Sequence, residues 1–326
     1  MSQARFPTAP VPVVDDPQRL WAIVLAAGDG KRLAPLTRAL YGWELPKQFA
    51  VLHRGRSLLQ TTVDRIAPLV PPERTVVVVG RAHGALARLQ LAEHRGVEIV
   101  AQPRNLDTGP GILLPLSHVL AHDPGASVVV LPSDHYVADP RPLLSAVRTA
   151  VETSVRVEEL LTLLGVVPDH AETDYGWIVP GPRVDPGTDE RLRGVSRFVE
   201  KPSPLEAQHL LRLGALWNTS ISISRASTYW DLMREHLTVQ AGLFEKYRLQ
   251  IDRPGQERLL DALYAAMESA NFSRAVLERA GNLAVLAIDG TGWSDWGRPE
   301  RILQSLKGLR RRISPSGGTT CSRPAR

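Results

Sequence analysis

The sequence is short of the residues on which several large reaction classes depend. It has one cysteine, Cys321, so no internal disulfide is available and a thiolate zinc site cannot be built. A reducing cytoplasm is the simplest home for such a chain. None of the 9 histidines falls in an HExxH pairing, and Gly-x-Ser-x-Gly is absent. Those gaps remove the zinc-protease helix and the serine-hydrolase elbow. Long apolar runs are also missing: Ser127 to Leu131 and Leu160 to Val167 are far too short to cross a bilayer. The first twenty residues hold prolines and acids without a continuous apolar core, so they do not read as a secretion signal. No hexapeptide repeat of the kind that builds an appended β-helix is present.

What remains is an ordinary globular composition. With 326 residues, 43% hydrophobic and 22% charged, the chain suits one large α/β domain, or one domain with a smaller appendage. The net charge of +5 is compatible with small polyanionic substrates. The basic residues form no continuous stripe, so neither nucleic acid nor a membrane is expected as a partner. The one dense run, at Arg310 to Arg312, opens a polar end and reads as a disordered tail over 310–326. Residues 1–18 read as a flexible N-terminal segment.

Short β-branched segments alternate with amphipathic ones. Strands are expected at Trp21–Ala26, Thr75–Val79, Glu98–Val100, Ser127–Leu131 and Leu160–Val166. Helices are expected near Ser57–Ile66, Gly84–Glu93, Gly111–Ala121 and Arg141–Glu152. That order predicts a mostly parallel sheet with helices on both faces, with ligands bound beyond the strands' carboxyl ends. After about residue 168 the pattern changes. Turn-rich stretches separate strands at Trp177–Val179, Gly194–Val199 and Leu216–Ser224; helices follow from Ala226 to Leu277. A last strand, Leu283–Ile288, precedes a closing helix near Pro299–Leu309. The domain is thus expected over 19–309, with a nucleotide-binding part to about 167 and a smaller mixed substrate-binding lobe from about 168.

The most informative stretch is Ala22-Ile-Val-Leu-Ala-Ala-Gly28-Asp-Gly30-Lys31-Arg32-Leu33, followed by Pro46-Lys47-Gln48-Phe49. An apolar strand opens into a loop where Gly28 and Gly30 let backbone N–H groups approach an anion. Lys31, Arg32 and Lys47 add full positive charges. A dinucleotide fingerprint would need glycine where Leu33 stands, and a P-loop would need Ser or Thr where Arg32 stands. The alternative is an ordinary strand-to-helix turn.

Asp134, in Ser133-Asp134-His135, follows an apolar strand; Asp295 lies between the last strand and the last helix. Carboxylates at the mouth of a sheet suit Mg²⁺, which takes one or two of them plus substrate phosphates. Either could instead cap a turn or helix. Lys201, fixed by Pro202, could hold a phosphate and Glu200 could accept sugar hydroxyls, against the alternative of a solvated strand end. Asn218 offers donor and acceptors to a polyol, or an Asx-turn. His135 reads as a structural hydrogen-bonder. The absence of acid–base machinery is itself consistent with a sugar-phosphate nucleophile, whose second ionisation near ~6 leaves it anionic at neutral pH. Catalysis would then consist of holding two anions in line.

Taken together, these motifs resemble the sugar-nucleotide pyrophosphorylases from Trp21 to about Arg298, and the Pro-Lys-Gln-Phe form resembles their guanylyl branch. Pro132-Ser-Asp-His, Thr173-Asp-Tyr-Gly-Trp-Ile, Phe198-Val-Glu-Lys-Pro, Trp217-Asn and Gly292-Trp-Ser-Asp-Trp-Gly are similar to the later family blocks, in order. The resemblance implies a Rossmann-like core. It implies Arg32 on the triphosphate and Lys47 and Lys201 on phosphates, with Arg32 and Lys47 catalytic. It implies Glu200 and Asn218 on the hexose, Gly176 close to the sugar, and Asp134 and Asp295 on Mg²⁺. Around the nucleotide it groups Ala26, Ala27, Gly28, Gly30, Lys31, Gln102, Thr108 and Ser133. The implied reaction is mannose 1-phosphate plus GTP giving GDP-mannose and pyrophosphate; a homodimer stays open. Two departures stand out. Ala27 replaces the first glycine, and Leu106-Asp107-Thr108-Gly109-Pro110-Gly111 stands where relatives read Arg-Asn-Thr-Ala-Pro-Ala. Another base or hexose, or a non-catalytic sugar-nucleotide sensor, are the alternatives that these departures motivate.

Overall fold

The computed structural model of the protein describes residues 19–184 and 189–313, with side chains to residue 307. Its strands are β1 (Leu20–Ala26), β2 (Thr75–Gly80), β3 (Glu98–Gln102), β4 (Ser127–Pro132), β5 (Leu161–Val166), β6 (Gly176–Arg183), β7 (Leu192–Glu200), β8 (Leu216–Arg225) and β9 (Leu283–Ile288). The helices are α1 (Ala34–Tyr41), α2 (Leu58–Ile66), α3 (Gly84–Gln90), α4 (Thr108–His122), α5 (Arg141–Arg156), α6 (Pro204–Arg212), α7 (Ala226–His236), α8 (Thr238–Arg248), α9 (Gln256–Ala266) and α10 (Pro299–Ile313).

One sheet runs β3-β2-β1-β4-β8-β5-β9-β7-β6. β3, β2, β1 and β4 are joined by parallel ladders, as is the β5–β9 pair. Every antiparallel ladder contains β7 or β8, so these two strands alone reverse. The expected mostly parallel sheet is therefore found, with one feature that strand spacing does not reveal: β8 is inserted between β4 and β5. Its first residues also pair with β6, which closes the last five strands into a ring.

The apolar runs explain the layering. In a parallel sheet covered on both sides, consecutive residues must be apolar because alternate ones enter different cores. Trp21, Ile23, Val76, Val78, Val128 and Val130 enter one core, beneath α4, α7, α8 and α9. Ala22, Val24, Val77, Val79, Val129 and Leu131 enter the other, beneath α2 and α5.

Element ends differ from expectation where capping decides. α4 starts at Thr108 rather than near Gly111, because Asp107 caps it and Pro110 falls in the first turn, where its missing N–H costs little. α1 and α6 are additions to the expected helices; each has proline in its first turn, and Ser203 caps α6 by accepting from Glu206 N. α10 runs to Ile313, four residues past the expected end at Leu309. The remainder of the expected tail, with Cys321, and the N-terminal segment 1–18 lie outside the described residues.

Candidate active site

The loop after β1 is shaped from below by the Pro46–Phe49 turn. Gln48 Nε2 donates to the carbonyls of Ala26 and Gly28, 2.8 Å each, while Phe49 is buried in the core under β1. Gly30 sits at φ 64, and a Cβ there would stand 2.6 Å from Lys47 N. Only glycine meets both demands. Gly28 differs: a Cβ would meet nothing within 4 Å. Lys31 is exposed beside Asp29, and Arg32 reaches only to 3.9 Å from Asp174.

Two further loops, after β4 and after β9, are zipped together. Tyr136 N donates to Ser294 O at 2.8 Å and Ser294 N to Tyr136 O at 3.0 Å. The Tyr136 and Trp296 rings stack 4.4 Å apart. The bridge brings Asp134 and Asp295 to one place. Lys47 is buried against both loops, with Nζ 2.9 Å from Asp134 Oδ2 and 2.5 Å from the Asp295 carbonyl. Burial pushes the Asp134 carboxyl up, but Lys47 and His135 outweigh it and hold it below the ordinary range. His135 is the structural group expected of it: burial lowers its imidazole pKa, and Nδ1 accepts from Trp293 Nε1 at 3.3 Å.

Asp295 is more thoroughly engaged. Its Oδ1 accepts from Tyr175 Oη at 2.9 Å, Gly297 N at 2.9 Å and Arg301 at 2.7 Å. Against the opposing effect of burial, His135, Gly297 and Arg301 hold this carboxyl at about 2. Arg301 also pairs with Glu172 and, at 3.3 Å, with Asp174, and lies 4.7 Å from the centre of the Tyr175 ring. This ionic knot ties α10 to the Thr173–Gly176 segment.

A cavity of about 560 Å³ opens beside these loops. Of the sequence-predicted residues, Ala27, Gly28, Gln102, Thr108, Ser133 and Asp134 line it. Ala26 is the last residue of β1, just beneath. Gly30, Lys31, Arg32 and Lys47 belong to its supports or rim rather than to the lining. The block at 106–111 has spent the donors of the α4 N-terminus internally. Thr108 N bonds Asp107 Oδ1 at 2.6 Å, Gly109 N bonds Ala270 O at 2.8 Å, Pro110 has no N–H, and Gly111 N bonds Asp107 O at 3.3 Å. Phosphate binding at this helix end is therefore disfavoured. Arg104, just ahead of the block, caps α9 by donating to the carbonyls of Tyr264 and Met267.

The residues expected on the hexose form a second cluster. Gly176 pairs with Glu200 across β6 and β7, and a Cβ on it would lie 2.9 Å from Glu200 Oε2 and 3.4 Å from Asn218 Cβ. Lys201, in the left-handed region at φ 53, has Nζ 3.7 Å from Glu200 Oε1. Burial raises the Glu200 carboxyl pKa, against Lys201 and Arg274. The Asx-turn reading of Asn218 is realised as well, because its Oδ1 accepts from Ser220 N at 3.1 Å.

The model of the nucleotidyl transferase family matches residues 21–311. The chain belongs to this family. It is 32% identical over 287 residues to the mannose-1-phosphate guanylyltransferase of Escherichia coli K12, covering 86% of this chain and 58% of that one. Xanthan biosynthesis protein XanB of Xanthomonas campestris pv. campestris B100 matches at 32% over 286 residues, with the same coverage. The chain thus spans about 58% of the length of these curated relatives. Among solved structures, the Thermus thermophilus protein named mannose-1-phosphate geranyltransferase superposes with a TM-score of 0.75 at 31% identity, covering 91% of this chain and 80% of that one. A Helicobacter pylori protein named mannose-6-phosphate isomerase, at 21% identity and TM-score 0.67, shares the fold; the match covers 85% of this chain and 99% of that one.

Sequence reasoning missed Gln48, Glu172, Tyr175 and Arg301 as site builders. Gln48 stands inside the Pro-Lys-Gln-Phe motif, so its neighbourhood is visible although its role is not. Arg301 gives no signal, because two of its three acidic partners, Glu172 and Asp174, lie about 130 residues away. Among the described residues no group of three or more His, Cys, Asp or Glu could hold a metal ion. None of the described helices is long and apolar enough to cross a membrane.

Proposed function

We propose that the chain is a sugar-1-phosphate nucleotidyltransferase that joins GTP to mannose 1-phosphate, forming GDP-mannose and releasing pyrophosphate. One observation carries the reading: a glycine cradle and an open carboxylate, Gly28 and Asp134, share a cavity wall, with the polar Gly176–Glu200–Asn218 cluster as its hexose-side counterpart. The choice of guanine and mannose is supported by the naming of relatives at about 32% identity.

The attacking atom would be a phosphate oxygen of the hexose 1-phosphate. A bond forms from it to the α-phosphorus, the bond to the β-phosphate oxygen breaks, and pyrophosphate leaves with that electron pair. The nucleophile is already anionic at neutral pH, so no proton need move. Gly28 admits the phosphates to the backbone, Arg32 and Lys31 swing from the rim to offset their charge, and Glu200 accepts hexose hydroxyls. Lys47 keeps Asp134 ionised and aligned. Mg²⁺ fits an all-oxygen pair of carboxylates completed by phosphates. Asp134 and Asp295 would hold it, and when bound it would neutralise charge on the triphosphate. Asp134 is the freer of the two.

The test is a pyrophosphate-release assay crossing several nucleoside triphosphates with several hexose 1-phosphates. Highest kcat/KM with GTP and mannose 1-phosphate is expected. Turnover of a different pair would reassign base or sugar, and silence across the panel with ligand binding retained would make the chain a sensor.

A further inference from the structure

Between α9 and β9 the chain makes a π-helical turn, Ser273–Leu277, and both of its flanks are occupied. Such turns are rare and concentrate at functional sites. The leading flank is laced to the cavity wall. Ala270 N donates to Leu106 O at 3.1 Å and Gly109 N to Ala270 O at 2.8 Å. Phe272 N donates to Thr108 Oγ1 at 2.9 Å, and Asn271 Nδ2 to Asp107 Oδ1 at 3.1 Å. Asn271 also caps the turn, its Oδ1 accepting from Arg274 N at 3.1 Å. On the trailing flank, Glu278 Oε1 accepts from Glu200 N at 3.0 Å. Burial raises the Glu200 carboxyl pKa, and Arg274 and Ser273, both inside the turn, act against that rise.

The geometry at Asp107 has to be held. At φ 69 and ψ −171 it occupies a region that is nearly exclusive to glycine. Such backbone persists only where the surroundings over-determine it, and strained residues of this kind gather at binding and catalytic sites. Here Asp107 N donates to Asn105 Oδ1 at 3.0 Å, and the Asp107 carboxylate accepts from Thr108 N and from Asn271 Nδ2. The same turn therefore fixes one wall of the nucleotide cavity and also sets the position and charge environment of Glu200.

We propose that Asn271 and Glu278 are positioning residues, and that the π-turn between them holds the nucleotide-side wall at Asp107–Thr108 and the hexose-side Glu200 in register. The proposal rests on the reading of this cavity as the triphosphate site and of Glu200 as the hexose acceptor. Asn271 acts through Asp107 and Glu278 through the backbone of Glu200, so each should influence a different substrate.

Initial rates with GTP and mannose 1-phosphate, each varied against a saturating level of the other, test this. Asn271→Asp keeps the cap on Arg274 N but loses the donor to Asp107. It should raise the GTP KM about tenfold, since a hydrogen bond to a charged group is lost, with the sugar-phosphate KM little changed. Should that variant fail to fold, Asn271→Ser carries the same expectation. Glu278→Ala should show the converse, a sugar-phosphate KM raised about tenfold by loss of the acceptor under Glu200. Glu278→Gln, which retains an acceptor oxygen, should restore it. Equal changes in both KM values, a loss confined to kcat, or no change in either would overturn the proposal. A wild-type chain that turns over no pair in the panel would instead remove the reading beneath it, and the proposal with it.

Discussion

The loop after β4 and the loop after β9 each present an aspartate to the same place, and their surroundings are opposites. Asp134 has one close cation, Lys47, and lines the cavity. Asp295 is buried, with one oxygen shared among a tyrosine, an arginine and a backbone N–H. A carboxylate whose lone pairs are committed to fixed donors has less to offer an incoming charge; one left open in a concave wall has more. The comparison separates a carboxylate open to the cavity from one already engaged in assembling the loop beside it. In Asp134→Asn, turnover should fall by roughly a thousandfold, the order expected when charge stabilisation at a reacting phosphate is lost. Its melting temperature should fall less than that of Asp295→Asn, because the buried Lys47 loses its carboxylate partner but keeps its bond to the Asp295 carbonyl. Asp295→Asn should cost stability first and turnover second. Measured side by side, kcat and melting temperature break the comparison if the two variants behave alike.

The ionic knot around Arg301 gives the second test. This side chain is 13% exposed and is shared by Glu172, Asp174 and Asp295. Removing it strands three acids, so Arg301→Met should cost about 3 kcal/mol at neutral pH, as for other broken buried pairs. The pH dependence has a definite sign. Asp295 titrates at about 2 in the folded chain against an ordinary 3.8, so folding favours its ionised form. That contribution, roughly 2 kcal/mol, is present in full above pH ~4 and disappears as pH falls toward ~2. The gap between wild type and Arg301→Met in denaturant unfolding should therefore narrow steadily with acidification. A gap independent of pH would mean that Arg301 stabilises by packing alone.

The same contrast explains what can be read from the chain in advance. β1, β2, β4 and β5 are legible because a strand buried on both faces leaves a continuous apolar run, and the glycine-cation loop directly follows one. Asp134 is legible for the same reason, standing just past such a run. The insertion of β8 between β4 and β5 leaves no local trace: it is decided by which strand edges remain unpaired once β4 and β5 are covered. The burial of Lys47 is equally hidden. The sequence marks Lys47 as a cation for phosphate, and only the distant loops at 134 and 295 show that it is buried between protein partners. Asp107 is visible as a departure from the family pattern; the contact of its carboxylate with Asn271, more than 160 residues away, is not.

The smallest effect sharpens the comparison most, because it sets two glycines of one loop against each other. Gly30 has a left-handed backbone and no room, with a Cβ meeting Lys47 N at 2.6 Å. Gly30→Ala should lose about 1–2 kcal/mol from the backbone alone, and more if the Pro46–Phe49 turn must shift. Gly28 has no such constraint, since a Cβ would enter open space in the cavity wall. Gly28→Ala should leave unfolding nearly unchanged and weaken triphosphate binding, because the added methyl occupies volume that the phosphates need. Calorimetric melting together with GTP titration distinguishes the two. If Gly28→Ala binds GTP as tightly as the wild type, the phosphates do not lie against this loop, and the cradle must be sought elsewhere along the carboxyl edge of the sheet.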